Sequence, residues 1–151
     1  SQADEEMSLN SIKKSQNTLE QLRALSRFQH GTDAWLEDAA IRGRPPIFTI
    51  MKGGEQIAMW NPRTGRFAFS KACLPLLMQS GTFPIVELSP DLDWKGDLFS
   101  SNVIAADSNI RIGDEILVMQ KDSLVGSARA EAAGWEWPEG AGRLAKSQHR
   151  L

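Results

Sequence analysis

The stretch from Asn109 to Ala130 constrains this chain more than any other. Two apolar runs, Ile116-Leu117-Val118-Met119 and Leu124-Val125, flank the polar segment Gln120-Lys121-Asp122-Ser123. Strand-forming residues on both sides of a short polar break predict an antiparallel hairpin. Ahead of it, Arg111-Ile112-Gly113-Asp114-Glu115 sets a glycine and two carboxylates at the strand entrance. Gly113 suits a tight turn there, because glycine alone enters positive φ without steric cost. Gly126 interrupts the second strand, which predicts a bulge or a close backbone approach. The pattern is that of the spine of a small β barrel, not of an active site.

The chain has 151 residues, enough for one ordinary domain or two small ones. Its apolar share of 41% supports a packed core. No apolar run approaches the length of a membrane span, so no membrane partner is expected. No basic-apolar-small leader is visible, so no secretory signal is expected. The single cysteine, Cys73, has no internal disulfide partner, which fits a reducing, cytoplasmic setting. Cys73, His30 and His149 cannot make a zinc site of ordinary type, and no cofactor is implied.

Net charge is −2, which argues against a strongly basic nucleic-acid binder. The charge is uneven. Residues 1–83 hold ten Lys/Arg and eight Asp/Glu; residues 84–151 hold seven and eleven. The half with the barrel pattern is therefore the acidic half.

Along the chain, residues 1–7 are polar and expected to be loose. Leu19, Leu22, Leu25 and Phe28 predict one apolar face of a helix over Ser8 to Phe28, stopped by Gly31. Thr32 is placed to cap a second helix that turns Trp35, Leu36 and Ala39 or Ala40 inward. After Gly43-Arg44-Pro45-Pro46, three strands form a meander: Ile47–Met51, Gln56–Trp60 and Arg66–Phe69. The first two are joined by the hairpin turn Lys52-Gly53-Gly54-Glu55. Ser70 is expected to cap a helix from Lys71 to Gln79, with Pro75 tolerable only if that helix starts late or kinks. In the second half, Phe83 to Leu88 reads as a strand, Pro90 to Gly96 as a turn and short helix around Trp94, and Asn102 to Ala106 as a strand. Gly134 to Gly140 reads as a loop carrying Trp135 and Trp137. Many short strands with turns between them predict a barrel.

Ile110-Arg111-Ile112-Gly113-Asp114-Glu115-Ile116-Leu117-Val118, then Leu124-Val125-Gly126-Ser127-Ala128, resembles the central motif of PUA domains, roughly I-x-P-G-D-x-V-x-V, a hairpin, then x-A-V-G-x-A. Gly142-Arg143-Leu144-Ala145-Lys146 resembles that family's closing strand. Ile112 stands where the family usually has proline, and Ser127 where glycine is frequent. Further upstream, Phe28-Gln29-His30-Gly31-Thr32-Asp33-Ala34, Thr64-Gly65-Arg66-Phe67-Ala68-Phe69-Ser70 and Trp94-Lys95-Gly96-Asp97-Leu98-Phe99 resemble, in order, segments of the carboxy-terminal region of archaeal tRNA-guanine transglycosylases, the archaeosine enzymes. The catalytic part of those enzymes is a TIM barrel of roughly 250 residues, for which this chain has no room. The resemblance implies an α+β architecture: a pre-PUA α+β domain with an antiparallel sheet over 1–83, and a PUA-like β barrel over 84–151. It further implies a non-catalytic module that binds RNA, most naturally tRNA.

By position in that family, the RNA-facing residues are Lys95, Gly96, Asp97, Ser100, Ser101, Asn102, Arg143 and Lys146. Lysines and arginine there can neutralise phosphates, Gly96 lets backbone approach closely, and Ser100, Ser101 and Asn102 can bond 2′-hydroxyls. Asp97 goes the wrong way electrostatically. All of them are also ordinary turn and surface residues. Arg42, Arg44, Lys52, Arg63, Arg66 and Lys71 lie near turns of the first half and form either a further RNA contact or a solvated rim. Trp135 and Trp137 can stack on a base or plug a barrel end; Trp60 and Trp94 fit a core. Cys73 in an apolar segment reads as packing, and His30 as a capping or core residue. Asp114 and Glu115 are adjacent and, on a strand, point to opposite faces. The alternative from another class is a protein-interaction accessory subunit for an RNA-modification enzyme on a separate chain, which the acidic barrel favours.

Overall fold

A computed structural model describes residues 2–44, 46–138 and 142–151, with the side chains of 2–13, 15 and 135 outside that set. The chain divides into two compact units, residues 1–76 and 77–151.

The first unit opens with helix α1 (Gln2–His30), so the backbone of residues 2–7 is helical rather than loose. Leu22 is buried and Leu19 and Leu25 are half-buried, but Phe28 is 88% exposed. Apolar residues every third position drift around a helix. Nine residues at about 100° each put Phe28 roughly opposite Leu19. The four-residue step from Leu22 instead lands on Ser26, which is buried, accepts the Trp35 indole N–H at 2.7 Å and donates to Thr32 O at 2.6 Å.

The second helix expected after Thr32 is a single 3₁₀ turn, Ala34–Leu36, with no side-chain cap from Asp33. Asp38 follows at φ 58°, which a continuing right-handed helix cannot accommodate. Ala40 then lies in a strand. That strand, β1 (Ala40–Arg42), adds a fourth member to the meander of β2 (Phe48–Lys52), β3 (Glu55–Asn61) and β4 (Arg66–Phe69), in the order β1-β2-β3-β4. Gly53 and Gly54, at φ 58° and 79°, make the expected primed turn between β2 and β3. Alternation in β4 buries Phe67 and Phe69, whose rings meet Trp35 edge-on at 5.1 and 5.0 Å. Ser70 does not cap the next helix; its hydroxyl donates to Gln56 O and Ile57 O. A 3₁₀ turn, Lys71–Cys73, comes first. Helix α2 (Leu74–Ser80) starts late enough for Pro75 to sit in its first turn.

The second unit is a six-strand sheet in the order β6-β10-β9-β8-β5-β7. The strands are β5 (Ile85–Leu88), β6 (Leu98–Phe99), β7 (Val103–Ala106), β8 (Glu115–Gln120), β9 (Ser123–Ala130) and β10 (Arg143–Arg150). All pairs are antiparallel except β5 with β8. β8 and β9 form the expected hairpin, turned by Lys121 and Asp122 at φ 51° and 63°. The segment around Trp94 is irregular after a turn at Pro90-Asp91, with no helix. Ile116, Val118, Ala128, Ala130, Leu144, Val86, Leu88 and Trp137 fill the interior. β6 and β7, the two ends of the sheet, are joined by the 3₁₀ turn Ser100–Asn102, which nearly closes the barrel.

Candidate nucleic-acid interface

At one end of the six-strand sheet, β10 pairs with β6, with Arg143 opposite Phe99 and Ala145 opposite Leu98. This pairing brings together the loop before β6, the 3₁₀ turn after it and the start of β10. Lys95, Gly96, Asp97, Ser100, Ser101, Asn102, Arg143 and Lys146 all lie in those segments.

The loop is held from both sides. On one side, the Trp94 indole N–H donates to Gly96 O, and Trp94 O accepts from the Arg150 guanidinium at 3.4 Å. The Trp94 ring lies against the backbone of Gly126 on β9, where a Cβ would sit 2.7 and 2.8 Å from two ring carbons. That is the close approach predicted for Gly126. On the other side, Asp97 accepts the Ser147 backbone N–H at 2.8 Å and the Arg143 guanidinium at 3.1 Å. The Ser147 N–H, and then the Arg143 charge, hold the Asp97 carboxyl below the usual aspartate range despite some opposing desolvation.

Arg143 is already engaged. Its guanidinium meets the Glu131 carboxylate through two bonds of 2.6 and 2.8 Å, and Asp97 takes a third N–H. Glu131 first and Asp97 second raise its pKa above the usual arginine value. One cation between two carboxylates leaves the trio net negative. Arg143 and Asp97 therefore tie β10 to the loop; the Arg143 side chain is still 42% exposed, but Lys95 and Lys146 are the exposed cations of this set that are not held between two carboxylates. Lys95 meets Asp93 at 3.1 Å, but the side chains are 78% and 81% exposed, so the pair is weak.

Gly96 has a non-positive φ, and a Cβ added to it would meet nothing within 4 Å. Neither backbone conformation nor packing requires glycine there. Asn102 caps its own turn, its side-chain oxygen accepting the Phe99 N–H at 3.0 Å. Ser101 is exposed and Ser100 half-buried.

In the first unit, topology sorts the basic residues. Arg44 lies in the β1–β2 connection and Arg63 in the β3–β4 turn, which are at the same end of the sheet. Arg66 pairs with Asn61 at that end, and Arg42 pairs with Thr49 nearby. Lys52 and Lys71 fall at the opposite end. All four arginines are exposed.

Trp137 is 2% exposed and donates its indole N–H to Ala132 O at 3.0 Å, so it plugs the barrel; the Trp135 side chain lies outside the described residues. Cys73 is buried. The His30 ring packs against Phe69 at 5.5 Å. Asp114 accepts the Arg111 N–H at 2.8 Å, a turn role. Glu115 is 4% exposed, and its carboxylate lies 3.5 Å from the Arg129 guanidinium. Burial pushes its pKa up to about 7, which the Arg129 charge only partly offsets. Among the described residues no three His, Cys, Asp or Glu side chains cluster in a way that could hold a metal ion. Among the described residues no helix is long and apolar enough to cross a membrane. Sequence reasoning missed Glu131, whose partner lies on another strand twelve residues away; nothing local marks that pairing.

No family model matches the chain. It is 29% identical over 128 residues to the archaeosine synthase of Methanocaldococcus jannaschii, a match covering 83% of this chain and 22% of that protein. The chain spans about a fifth of the length of the curated relatives it matches. Among solved structures, it superimposes on AF0587, a protein of unknown function, with TM-score 0.71 and 22% identity, covering 86% of this chain and 46% of that one. A conserved PUA domain protein from Thermoplasma acidophilum matches with TM-score 0.54 and 20% identity over 74% of this chain and 75% of that one. The α+β architecture with a PUA-like barrel is the fold of this chain, and its sequence is similar to part of archaeosine synthase.

Proposed function

We propose that the chain is a non-catalytic module that binds structured RNA, with tRNA as the preferred partner, through the edge where β6, β10 and the Ser100–Asn102 turn meet. The observation that carries this reading is the Lys95-Gly96-Asp97 loop. It is clamped by Trp94 on one side and by Asp97 on the other, and it presents a glycine with no conformational or packing reason to be one. A rigid loop with a bare backbone lets a phosphate or ribose come close at little ordering cost. Lys95 and Lys146 supply charge, and Ser101 and Asn102 supply groups for 2′-hydroxyls. Asp97 and Arg143 position the loop instead of contacting RNA. The similarity to archaeosine synthase supports a tRNA-modification setting.

The test is fluorescence anisotropy of labelled tRNA across a salt series, with a tRNA trimmed at its 3′ end as comparison. Binding that weakens steadily with salt and falls further on the trimmed RNA is the expected result. No binding near 50 mM salt, where phosphate contacts are tightest, refutes it. One observation favours an accessory subunit that binds a separately encoded modification enzyme: Arg143 is neutralised by carboxylates in an already acidic barrel. In that reading the same assay shows no RNA binding.

A further inference from the structure

The described arginines fall into three groups, one of them Arg150 alone, which lies in the barrel, has no ion-pair partner among the described residues and donates to Trp94 O at 3.4 Å. Arg23, Arg27, Arg111, Arg129 and Arg143 each lie within 4.0 Å of a carboxylate. Among the described residues, Arg42, Arg44, Arg63 and Arg66 have no ion-pair partner. Those four are the ones that the topology gathers at one end of the β1–β4 sheet.

The sheet's own sequence is poor in acids that could neutralise them. Residues 40–76 carry six Lys/Arg and a single acid, Glu55. Glu55 begins β3, at the opposite end of the sheet. The barrel, residues 77–151, carries seven Lys/Arg against eleven Asp/Glu. A polyanion is therefore drawn to the first unit's sheet and repelled by much of the second.

Arg63 lies in a built turn, and Arg66 follows it directly. Asn61 Oδ1 accepts the Arg63 N–H at 2.9 Å, and Asn61 O accepts the Gly65 N–H at 3.0 Å and the Thr64 hydroxyl at 3.2 Å. Gln29 of α1 donates to Gly65 O at 2.7 Å. Gly65 has φ 64°, which the turn needs. Across the sheet, β1 and β4 are three strand spacings apart, about 14 Å, so the set is wider than one phosphate group. Arginine's planar fork bonds phosphate oxygens two at a time.

We infer that Arg42, Arg44, Arg63 and Arg66 form a nucleic-acid backbone-binding surface, and that this end of the first unit's sheet, not the barrel, supplies most of the electrostatic affinity for RNA. The inference rests on the RNA-binding reading above and assigns its salt-dependent part to other residues.

The experiment is tRNA anisotropy against salt for the full chain and four variants. The first carries Arg42→Gln, Arg44→Gln, Arg63→Gln and Arg66→Gln; the second carries lysine at the same four positions. The third carries Lys95→Gln and Lys146→Gln. The fourth carries Lys52→Gln and Lys71→Gln, which lie at the far end of the sheet. Each neutralised phosphate contributes about 0.7–0.9 to the slope of log K against log salt. The four-glutamine variant is expected to lose about 2 to 3 from that slope. The four-lysine variant is expected to keep most of the slope, and the other two to change it by less than the four-glutamine variant does. If the four-glutamine slope equals that of the unmodified chain while Lys95→Gln/Lys146→Gln lowers it, the inference falls and the barrel reading stands. If Lys52→Gln/Lys71→Gln costs as much, attraction is diffuse and the local surface is wrong. If the unmodified chain binds no tRNA, both readings fall together.

Discussion

The Trp94 ring lies against the backbone of Gly126, so a side chain added at 126 collides with it. A methyl at position 126 would enter the indole at 2.7 Å and also meet the His149 carbonyl of β10. Gly126→Ala must push apart both the loop and the β9–β10 pairing. Overpacking of this kind costs about 1–3 kcal/mol. Urea denaturation of the chain should show that loss, with Trp94 fluorescence shifting toward that of an exposed indole. An unchanged midpoint would mean that the ring is not anchored there.

Gly96→Ala is the opposite case. A Cβ at 96 meets nothing within 4 Å and φ is not positive, so stability should change by less than about 0.5 kcal/mol. Affinity for tRNA should nonetheless fall several-fold, because in the proposed interface the added methyl stands where the nucleic-acid backbone would approach. Equal affinity of Gly96→Ala and the unmodified chain would remove Gly96 from the interface.

Leu22→Ala and Phe28→Ser separate the two faces of α1. Leu22 is 2% exposed, so its truncation should cost about 2–5 kcal/mol. Phe28 is 88% exposed, so Phe28→Ser should stay within about 0.5 kcal/mol of the unmodified chain. Thermal melts of both variants provide the check; a large loss for Phe28→Ser contradicts the exposed placement.

Glu115 sets a pH dependence of unusual sign. Its folded pKa of about 7 lies above the ordinary value of 4.5. Holding the ionised carboxylate in this buried site therefore costs stability above pH 7. The cost fades as pH falls from 7 to 4.5 and is absent below. This group alone makes the chain more stable at pH 5 than at pH 8. Glu115→Gln should stabilise the protein at pH 8 by up to about 3 kcal/mol, less whatever Arg129 loses with its partner. It should also flatten the curve between pH 4.5 and 7. Denaturant midpoints at pH 5, 6, 7 and 8 measure this, and a variant that is less stable at pH 8 reverses the assignment.

Local sequence was a good guide wherever the deciding interaction was local. The turns at Gly53-Gly54 and Lys121-Asp122, the alternation of Phe67 and Phe69 and the late start forced by Pro75 all follow from a few adjacent residues. Gly126 could be flagged from its place in an apolar strand. The errors have two origins, the drift of the helix period and partners distant in sequence. The step of three from Leu19 to Phe28 looks like a helix face until the drift of the helix is counted. The segment after Thr32 has helical composition, yet tertiary packing of Trp35 and Leu36 is satisfied by one 3₁₀ turn. Ala40 to Arg42 becomes a strand only because β2 has an edge to offer. At the candidate interface, residue positions along the chain could be listed from motif order. What could not be read was that Arg143 is spent on Glu131 and Asp97, since those partners lie on other segments.

The near-closure of the barrel has a consequence for crowded solutions. The terminal strands of the six-strand sheet are β6, two residues long, and β7, four residues long with an irregular register against β5. The turn that connects them keeps the two ends of the sheet together in the same molecule. On these two strands a neighbouring chain would find few unpaired backbone groups to add a strand to. Shortness and irregular register thereby make β6 and β7 poor templates for edge-to-edge growth, without charges or prolines on either strand.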